Sequence, residues 1–207
     1  MAGRKRSGTS RSAGPPRQPE GLRIIGGRFR GRKLRYSGEP RLRPMKNRVR
    51  EAIFNLLGPA VRGKHAVDLF GGSGALGLEA LSRGACAATI IEQHFPTAAI
   101  IRQNAATLKV GPQVEIVTGD VFVWWKRRPG LPDGPWVVFC SPPYDFYVRR
   151  TGPMLDLIGG LMAAAPAQSL FAVESDRRFD FGLLPEPDRW DVRQYPPALV
   201  GVWDKPE

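Results

Sequence analysis

The fold is decided by residues 67–77, which read Val67-Asp68-Leu69-Phe70-Gly71-Gly72-Ser73-Gly74-Ala75-Leu76-Gly77. The apolar start is typical of a short buried strand, the glycines of a turn too tight for side chains, and the end of a first helical turn. Glycine lets the backbone approach a ligand, and free N–H groups at a helix start favour a carboxylate or phosphate. Gly72, Gly74 and Gly77 also match G-x-G-x-x-G, a weak signal by itself. The stretch therefore predicts a strand, a ligand-binding turn and a helix.

Acidic residues follow at the ends of two further apolar strands. Glu92 ends a strand over residues 88–91 and lies twenty positions after Gly72, where a carboxylate can accept hydrogen bonds from both hydroxyls of a ribose. Asp120 follows a strand over residues 114–117 and is placed to reach an adenine amino group. Each acid alone is more often a solvated loop residue. With Asp68, however, they place an acid at three successive strand ends, which favours a cofactor that contains adenosine.

Ser141-Pro142-Pro143-Tyr144 follows another apolar run, residues 136–140. A nucleobase NH2 is a poor nucleophile because its lone pair is delocalised, so a catalyst must hold its hydrogens and keep the base out of its stack. The Ser141 hydroxyl and the Pro142 carbonyl can accept two N–H bonds, the prolines stiffen the loop, and Tyr144 offers a ring for stacking. The alternative is a proline turn that ends a buried strand. Beside the glycine-rich turn, this loop predicts methyl transfer to a nucleobase amine.

Positive charge is concentrated near the N-terminus. The formal net charge of the 207 residues is +12. Residues 1–50 hold 16 Lys or Arg and two acids, whereas the other 157 residues hold 15 Lys or Arg and 17 acids. This distribution is typical of a phosphate-binding arm joined to a nearly neutral enzyme domain. Residues 1–20 are expected to be disordered in isolation, and a simple solvated tail is the alternative for them.

Other features limit the class of protein. The first residues lack the apolar core of a secretory signal, and no stretch is long enough to span a membrane. Cys86 and Cys140 are too few for a disulfide framework and too isolated for a metal site. We therefore expect a cytoplasmic protein without membrane contact and without a metal ion.

Strands and helices alternate from residue 64 onward. Strands are predicted to end near Phe70, Glu92, Val117, Cys140 and Glu174. Helices are predicted over residues 75–83, 96–108, 121–128 and 151–164. The alternation predicts a mostly parallel sheet with helices on both faces and with ligands at the carboxyl ends of its strands. Residues 190–195 and 199–203, on either side of Pro196-Pro197, predict an antiparallel C-terminal hairpin.

The basic region preceding this domain has its own pattern. Residues 22–36 predict a small β-hairpin, with strands over 22–25 and 33–36. After Pro44, apolar spacing predicts a helix to about Leu57, from whose apolar stripe Arg48 and Arg50 are offset. These two arginines are free to face phosphate or cofactor, or else plain solvent. The chain is expected to divide into a tail (1–20), an RNA-binding hairpin and helix (21–60) and a catalytic domain (61–207).

Seven motifs, in this order, resemble the RsmD family, bacterial 16S ribosomal RNA guanine-N2 methyltransferases that use S-adenosylmethionine. They are Arg23-Ile24-Ile25-Gly26-Gly27, Arg30-Gly31-Arg32-Lys33-Leu34, Leu42-Arg43-Pro44, residues 48–55, the glycine turn, residues 76–84 and the Pro-Pro-Tyr loop. The resemblance covers about residues 22–203. It implies a Rossmann-like class I methyltransferase fold, with a seven-stranded sheet and a small basic N-terminal extension. Its implied partner is 16S ribosomal RNA, the small subunit or an assembly intermediate, and a monomer is expected.

The resemblance also implies roles for single residues. The implied cofactor contacts are Asp68, Phe70, Gly71, Gly72, Gly74, Glu92 and Asp120. Ser141, Pro142, Pro143 and Tyr144 would hold the target amine. The implied RNA contacts are Arg28, Arg30, Arg32, Lys33, Arg43 and Arg48. Two segments depart from the family: Ser141 stands where Asp or Asn is usual, and Met45-Lys46-Asn47 where Thr-Thr-Asp is typical.

Other functions fit part of the pattern. A nicotinamide-dependent oxidoreductase would use the glycine turn but would leave the Ser-Pro-Pro-Tyr loop unexplained. That loop also resembles DNA cytosine-N4 methyltransferases, so the amine could be adenine N6 or cytosine N4 of RNA or DNA. A non-catalytic RNA-binding assembly factor could keep the fold, and a Cys140 nucleophile is the rival mechanism.

Overall fold

The computed structural model describes residues 21–36, 45, 47–127 and 129–207. Predictions for the tail (1–20), for Arg43 and for the residues around Pro44 lie outside that part of the chain. Within it, the strands are β1 (His65–Asp68), β2 (Ala87–Glu92), β3 (Val114–Thr118), β4 (Trp136–Cys140), β5 (Leu170–Ser175), β6 (Asp191–Tyr195) and β7 (Ala198–Asp204). They form one seven-stranded sheet in the order β3-β2-β1-β4-β5-β7-β6. The strands β1 to β5 pair in parallel, and β7 is antiparallel to both of its neighbours.

Helices cover the sheet on both sides, as predicted. Over the described residues they are α1 (Asn47–Leu57), α2 (Ala75–Ser82), α3 (Phe95–Thr107), α4 (Val121–Lys126), α5 (Phe146–Arg149) and α6 (Thr151–Ala164). The four helices predicted for the catalytic domain are confirmed to within two residues at each end. The single-turn helix α5 was not predicted, because four residues are too short to show a periodic pattern. No helix in the described ranges is long and apolar enough to cross a membrane.

The alternation of side chains along the strands builds two separate cores. Val137 and Phe139 of β4 point into the core beneath α1, α2 and α3. Val138 and Cys140 of the same strand point into the core on the other face, where α6 packs. All five residues of β4 are buried, which is why this strand is a continuous apolar run rather than an alternating one.

The predicted N-terminal strands do not form as such. Between residues 21 and 36, Arg23 and Lys33 make an isolated bridge, and a short 3-10 helix (Gly27–Phe29) replaces a regular turn. The two halves of residues 21–36, a segment called the arm from here on, still pair with each other. Ile24 N donates to Arg32 O at 2.9 Å, and Leu34 N donates to Leu22 O at 3.0 Å. The ladder stops there because the next backbone N–H groups bond to helix α2 instead.

A buried carboxylate, Glu79 of α2, fastens this arm to the sheet domain. Its two oxygens accept from Ile25 N and Gly26 N, each at 2.7 Å. Arg83 Nε donates to it at 2.9 Å, and Arg50 Nε lies 3.9 Å away. The expectation that Arg50 faces phosphate, cofactor or solvent is therefore wrong. Arg50 is fully buried, because the arm packs over it. Its Nη2 donates to the carbonyl of Arg23 at 2.6 Å and so satisfies a backbone acceptor of the arm.

The C-terminal hairpin lies where the sequence predicts it, and β7 inserts between β5 and β6. The register pairs Asp204 with Leu170, the first residue of β5, and Val200 with Glu174 near its end. Just after β7, Lys205 Nζ donates to the carbonyls of Met162, Ala163 and Ala165 at the end of α6. A lysine there satisfies carbonyls that the helix itself leaves unpaired.

Candidate active site

The glycine-rich turn between β1 and α2 has a packed side and an open side. Gly71 N donates to Ile91 O at 2.7 Å, and Gly74 N donates to Gly71 O at 2.6 Å. Gly74 has a φ of 74°, and a Cβ there would lie 2.8 Å from Ile101 Cγ2, so no other residue fits without displacement. A Cβ on Gly72, in contrast, would meet nothing closer than Phe70 O at 3.8 Å. The open side leaves backbone for a ligand to approach.

Asp68, the last residue of β1, lies beneath this turn. Its Oδ2 accepts from Gly77 N at 3.1 Å, which ties the first turn of α2 to the strand. Its Oδ1 is buried and meets no hydrogen-bond donor among the described residues. Burial raises the pKa of this carboxyl to about 7. Asp68 therefore contacts the turn through Oδ2, and its Oδ1 has no hydrogen-bond partner among the described residues.

Glu92, at the end of β2, contacts the same turn. Its Oε2 accepts from Gly72 N and its Oε1 from His94 N, both at 2.7 Å. The carboxylate is buried, and burial raises its pKa. A carboxylate has about four acceptor positions, so Glu92 can accept a further hydrogen bond. Glu92 and Gly72 are thus brought together as the sequence spacing implies.

Asp120 immediately precedes α4, and both of its carboxylate oxygens have partners. Its Oδ1 accepts from Phe122 N at 2.8 Å and from Val123 N at 3.2 Å, the usual role of an aspartate before a helix. Its Oδ2 lies 3.6 Å from Arg150 Nη1. A cavity of about 550 Å³ opens here, and Asp120, Phe122 and Arg150 are part of its lining.

Three aromatic rings connect these loops. Phe70 of the glycine turn contacts Phe122 and Phe146 edge-on, with ring centroids 6.4 and 5.9 Å away. The guanidinium of Arg150 lies over the other two rings, 5.4 Å from Phe122 and 4.9 Å from Phe146. Phe70 is thereby placed between the turn and the cavity, at the same edge of the sheet.

The Ser-Pro-Pro-Tyr loop follows β4 and is held by an acid that the sequence analysis did not select. Ser141 Oγ donates a short hydrogen bond to Glu174 Oε2, and Tyr144 OH donates to Glu174 Oε1 at 2.7 Å. Pro142 is buried and Pro143 is exposed. Glu174 itself is buried, and burial raises its pKa. The available signal was an acid at a strand end, the same signal that selected Glu92.

Strand pairing brings the three parts together. Asp68 of β1 is in register with Phe139 of β4, and Cys140 of β4 is in register with Val173 of β5. The glycine turn, Ser141 and Glu174 therefore lie at the neighbouring carboxyl ends of β1, β4 and β5. Such an edge is where open α/β sheets bind their ligands.

Cys140 does not have the properties of a nucleophile. Its thiol is buried and lies 3.7 Å from Tyr147 OH. Burial raises the pKa of this thiol to about 12, so at neutral pH it is protonated. A mechanism with Cys140 as the nucleophile therefore lacks the thiolate that it needs.

The predicted RNA contacts that the structure describes all lie on the surface. They are Arg28, Arg30, Arg32, Lys33 and Arg48. Arg28 Nη2 donates to Gln113 Oε1 at 3.0 Å, and its guanidinium lies 4.6 Å from the ring centroid of Phe29. The charge of Arg28 is therefore held at a fixed position on the surface.

Comparisons with known proteins show what this chain is similar to. Residues 22–186 match the family model described as conserved hypothetical protein 95. The chain is 44% identical over 174 residues to ribosomal RNA small subunit methyltransferase D of Escherichia coli K12. The aligned residues cover 84% of this chain and 83% of that protein.

Solved structures add two likenesses. A putative methyltransferase from Escherichia coli, yhhF, superposes with a TM-score of 0.71 at 32% identity, over 89% of this chain and 98% of that one. The Thermus thermophilus 16S rRNA N2 G1207 methyltransferase, solved with AdoMet and guanosine, gives a TM-score of 0.62 over 79% of this chain and 43% of that one. At 19% identity, this second likeness concerns the fold alone.

Proposed function

Because this chain belongs to the RsmD family of ribosomal RNA methyltransferases, we propose that it transfers a methyl group from S-adenosylmethionine to the N2 amine of a guanine in 16S ribosomal RNA. One observation carries this proposal. The open glycine turn after β1 and the Ser141 loop after β4 leave the sheet side by side, because β1 and β4 pair in parallel. A methyl donor held by the turn would face an amine held by the loop.

The residues around the turn fit S-adenosylmethionine. The remaining acceptor capacity of Glu92 suits a ribose hydroxyl, and the cavity beside Asp120 and Phe122 suits the adenine. Asp68 Oδ1, which is buried and has no hydrogen-bond partner among the described residues, suits the ammonium group or an ordered water. S-adenosylmethionine supplies an electrophilic methyl group on its sulfonium sulfur.

The Ser141 loop would prepare the amine for direct in-line attack. Ser141 Oγ and the Pro142 carbonyl accept its two N–H hydrogens, and the ring of Tyr144 stacks on the base. The new N–CH3 bond forms as the S–CH3 bond breaks, and the extra proton of the amine then leaves to water. No covalent bond to the enzyme is needed, because alkylation makes the exocyclic amine acidic.

The exposed basic residues of the arm support an RNA partner. We propose residues 21–60 as the RNA-binding extension, preceded by a basic tail (1–20) and followed by a catalytic domain (61–207). Lysine and arginine side chains neutralise phosphates without reading sequence, so the arm would supply affinity. An RNA of the small subunit implies that the enzyme acts in the cytoplasm, and we propose that it acts as a monomer.

The test is methyl transfer from labelled S-adenosylmethionine to 16S RNA, to assembly intermediates and to small subunits, each lacking the modification. Nucleoside analysis by mass spectrometry should find N2-methylguanosine at one mapped position. N6-methyladenosine or N4-methylcytidine would instead support the alternative amines. No product on any substrate would support a non-catalytic assembly factor.

A further inference from the structure

The carboxylate of Glu174 has an unusual set of partners. It lies near the end of β5, and its two oxygens accept from two different hydroxyls, those of Ser141 and Tyr144. No ion pair among the described residues involves Glu174. Its backbone is fixed as well, since Tyr147 OH donates to its carbonyl at 3.0 Å and Val200 of β7 pairs with it. The carboxylate is therefore a fixed, buried acceptor for hydroxyl hydrogens.

We propose that Glu174 is a positioning residue for methyl transfer, which makes Ser141 act toward the target amine only as an acceptor. A serine hydroxyl has one hydrogen and two acceptor positions. When the hydrogen is given to Glu174, both acceptor positions of Ser141 Oγ remain for the amine. Without Glu174 the hydroxyl rotates freely, and its hydrogen can then point at the nitrogen that must attack.

The negative charge of Glu174 adds a second effect. The attacking nitrogen becomes positive as its bond to the methyl group forms, and a fixed negative charge nearby stabilises that transition state. Glu174 lies one hydrogen bond behind Ser141 and shares this buried environment with groups that are neutral at pH 7. They are Cys140, Ser141, Tyr144 and Tyr147. The nearest acid along the chain, Asp176, pairs with Arg178 at 2.8 Å.

A pH dependence follows. Burial raises the pKa of Glu174, whereas the hydrogen bonds from Ser141 and Tyr144 lower it. A protonated Glu174 becomes a donor itself and can no longer accept from both hydroxyls. Turnover should therefore fall as the pH falls through the pKa of Glu174, above the usual titration range of a glutamate.

The experiment rests on the proposed function and uses the full chain with 16S RNA or small subunits as substrate. Glu174→Gln keeps the shape but leaves one acceptor oxygen, so kcat should fall at least tenfold and lose its acidic limb. The dissociation constant of S-adenosylmethionine should stay within twofold. Glu115→Gln, an exposed acid on β3, is the matched control and should match the parent. An unchanged kcat in E174Q would overturn the proposal.

A double-mutant cycle separates positioning from a general structural effect. If Glu174 acts through Ser141, adding E174Q to Ser141→Ala should slow turnover by clearly less than E174Q slows the parent, because the hydroxyl to be oriented is already gone and only the effect of the charge remains. Effects that multiply would contradict the proposal. If the parent protein methylates RNA and neither E174Q nor Ser141→Ala changes its rate, the positioning role of Glu174 is refuted and the proposed function stands. If the parent protein does not methylate RNA, both the positioning role and the proposed function are refuted.

Tyr144→Phe gives an independent readout if E174Q does not fold. Removing this hydroxyl takes away a hydrogen bond that lowers the pKa of Glu174, so the acidic limb of kcat should move to higher pH. Tyr195→Phe, on β6, is the control and should not move it. A limb at the parental pH in Y144F would show that Glu174 does not govern it.

Discussion

Replacing Glu79 by alanine should destabilise the protein far more than an ordinary substitution on a helix. Glu79 is fully buried and accepts from Ile25 N, Gly26 N and Arg83 Nε at 2.7, 2.7 and 2.9 Å. Alanine removes the acceptor for all three and leaves the buried Arg50 without its counter-charge. Removing one partner of a buried pair costs about 3–5 kcal/mol, and each unsatisfied buried donor costs about 1–3 kcal/mol. These terms overlap, so we expect a loss of about 3–5 kcal/mol in the free energy of unfolding.

The assay is urea denaturation followed by fluorescence. Glu79→Gln keeps one acceptor oxygen and should lose about half as much, and Glu186→Ala, at an exposed acid, serves as the control. Hydrogen exchange at the amides of Ile25 and Gly26 should accelerate in Glu79→Ala, since both lose their acceptor. If Glu79→Ala unfolds at the parental urea midpoint with the parental slope, Glu79 does not fasten the arm.

Three further predictions concern the cofactor, the pH and the tail. Glu92→Ala should weaken S-adenosylmethionine by about 1–3 kcal/mol in calorimetry, because the ribose loses a charged acceptor, and equal affinity would make Glu92 a purely structural acid. Asp68, whose pKa rises from 3.8 to about 7 on folding, contributes stability that is present below pH 3.8 and is lost as the pH rises through 7. In Asp68→Asn the free energy of unfolding should therefore decrease less between pH 3.8 and 7 than it does in the parent. Chemical denaturation at several pH values measures this, and the same decrease in both proteins would contradict the prediction. Deleting residues 1–20 removes five Lys or Arg, so RNA affinity should fall and its dependence on salt concentration should become weaker. Binding of S-adenosylmethionine should stay the same. An unchanged salt dependence would refute an electrostatic role of the tail.

The sheet could be predicted from sequence because its signals are local. An apolar run ending in an acid or a glycine turn marks a parallel strand, and this signal recurs at Asp68, Glu92 and Glu174. The spacing of twenty positions between Gly72 and Glu92 predicted a ribose-binding acid beside the turn, and the structure joins the two residues by a hydrogen bond of 2.7 Å. Such features depend on residues close together in sequence or on a repeated pattern.

The remainder depended on contacts between distant residues. The spacing of apolar residues along α1 placed Arg50 on a polar face, because that spacing says nothing about what packs against the helix. In the structure the arm covers that face and buries Arg50. The strands of the arm failed for a related reason, since Glu79 competes for the backbone donors that a ladder would use. Glu174 was visible only as a strand end, because its partners come from a loop 30 and 33 residues earlier.

The pairing of β7 with β5 determines where the enzyme can be held in an experiment. Asp204 pairs with Leu170, whereas Glu174 lies four residues further along β5. At about 3.3 Å per residue, a tether attached beyond Asp204 would leave the sheet about 13 Å from Glu174, on the edge that faces away from the reacting groups. A fluorescent dye or an immobilising linker at that end should leave both cofactor and RNA free to enter, which makes it the preferred attachment point for single-molecule or surface-based binding measurements.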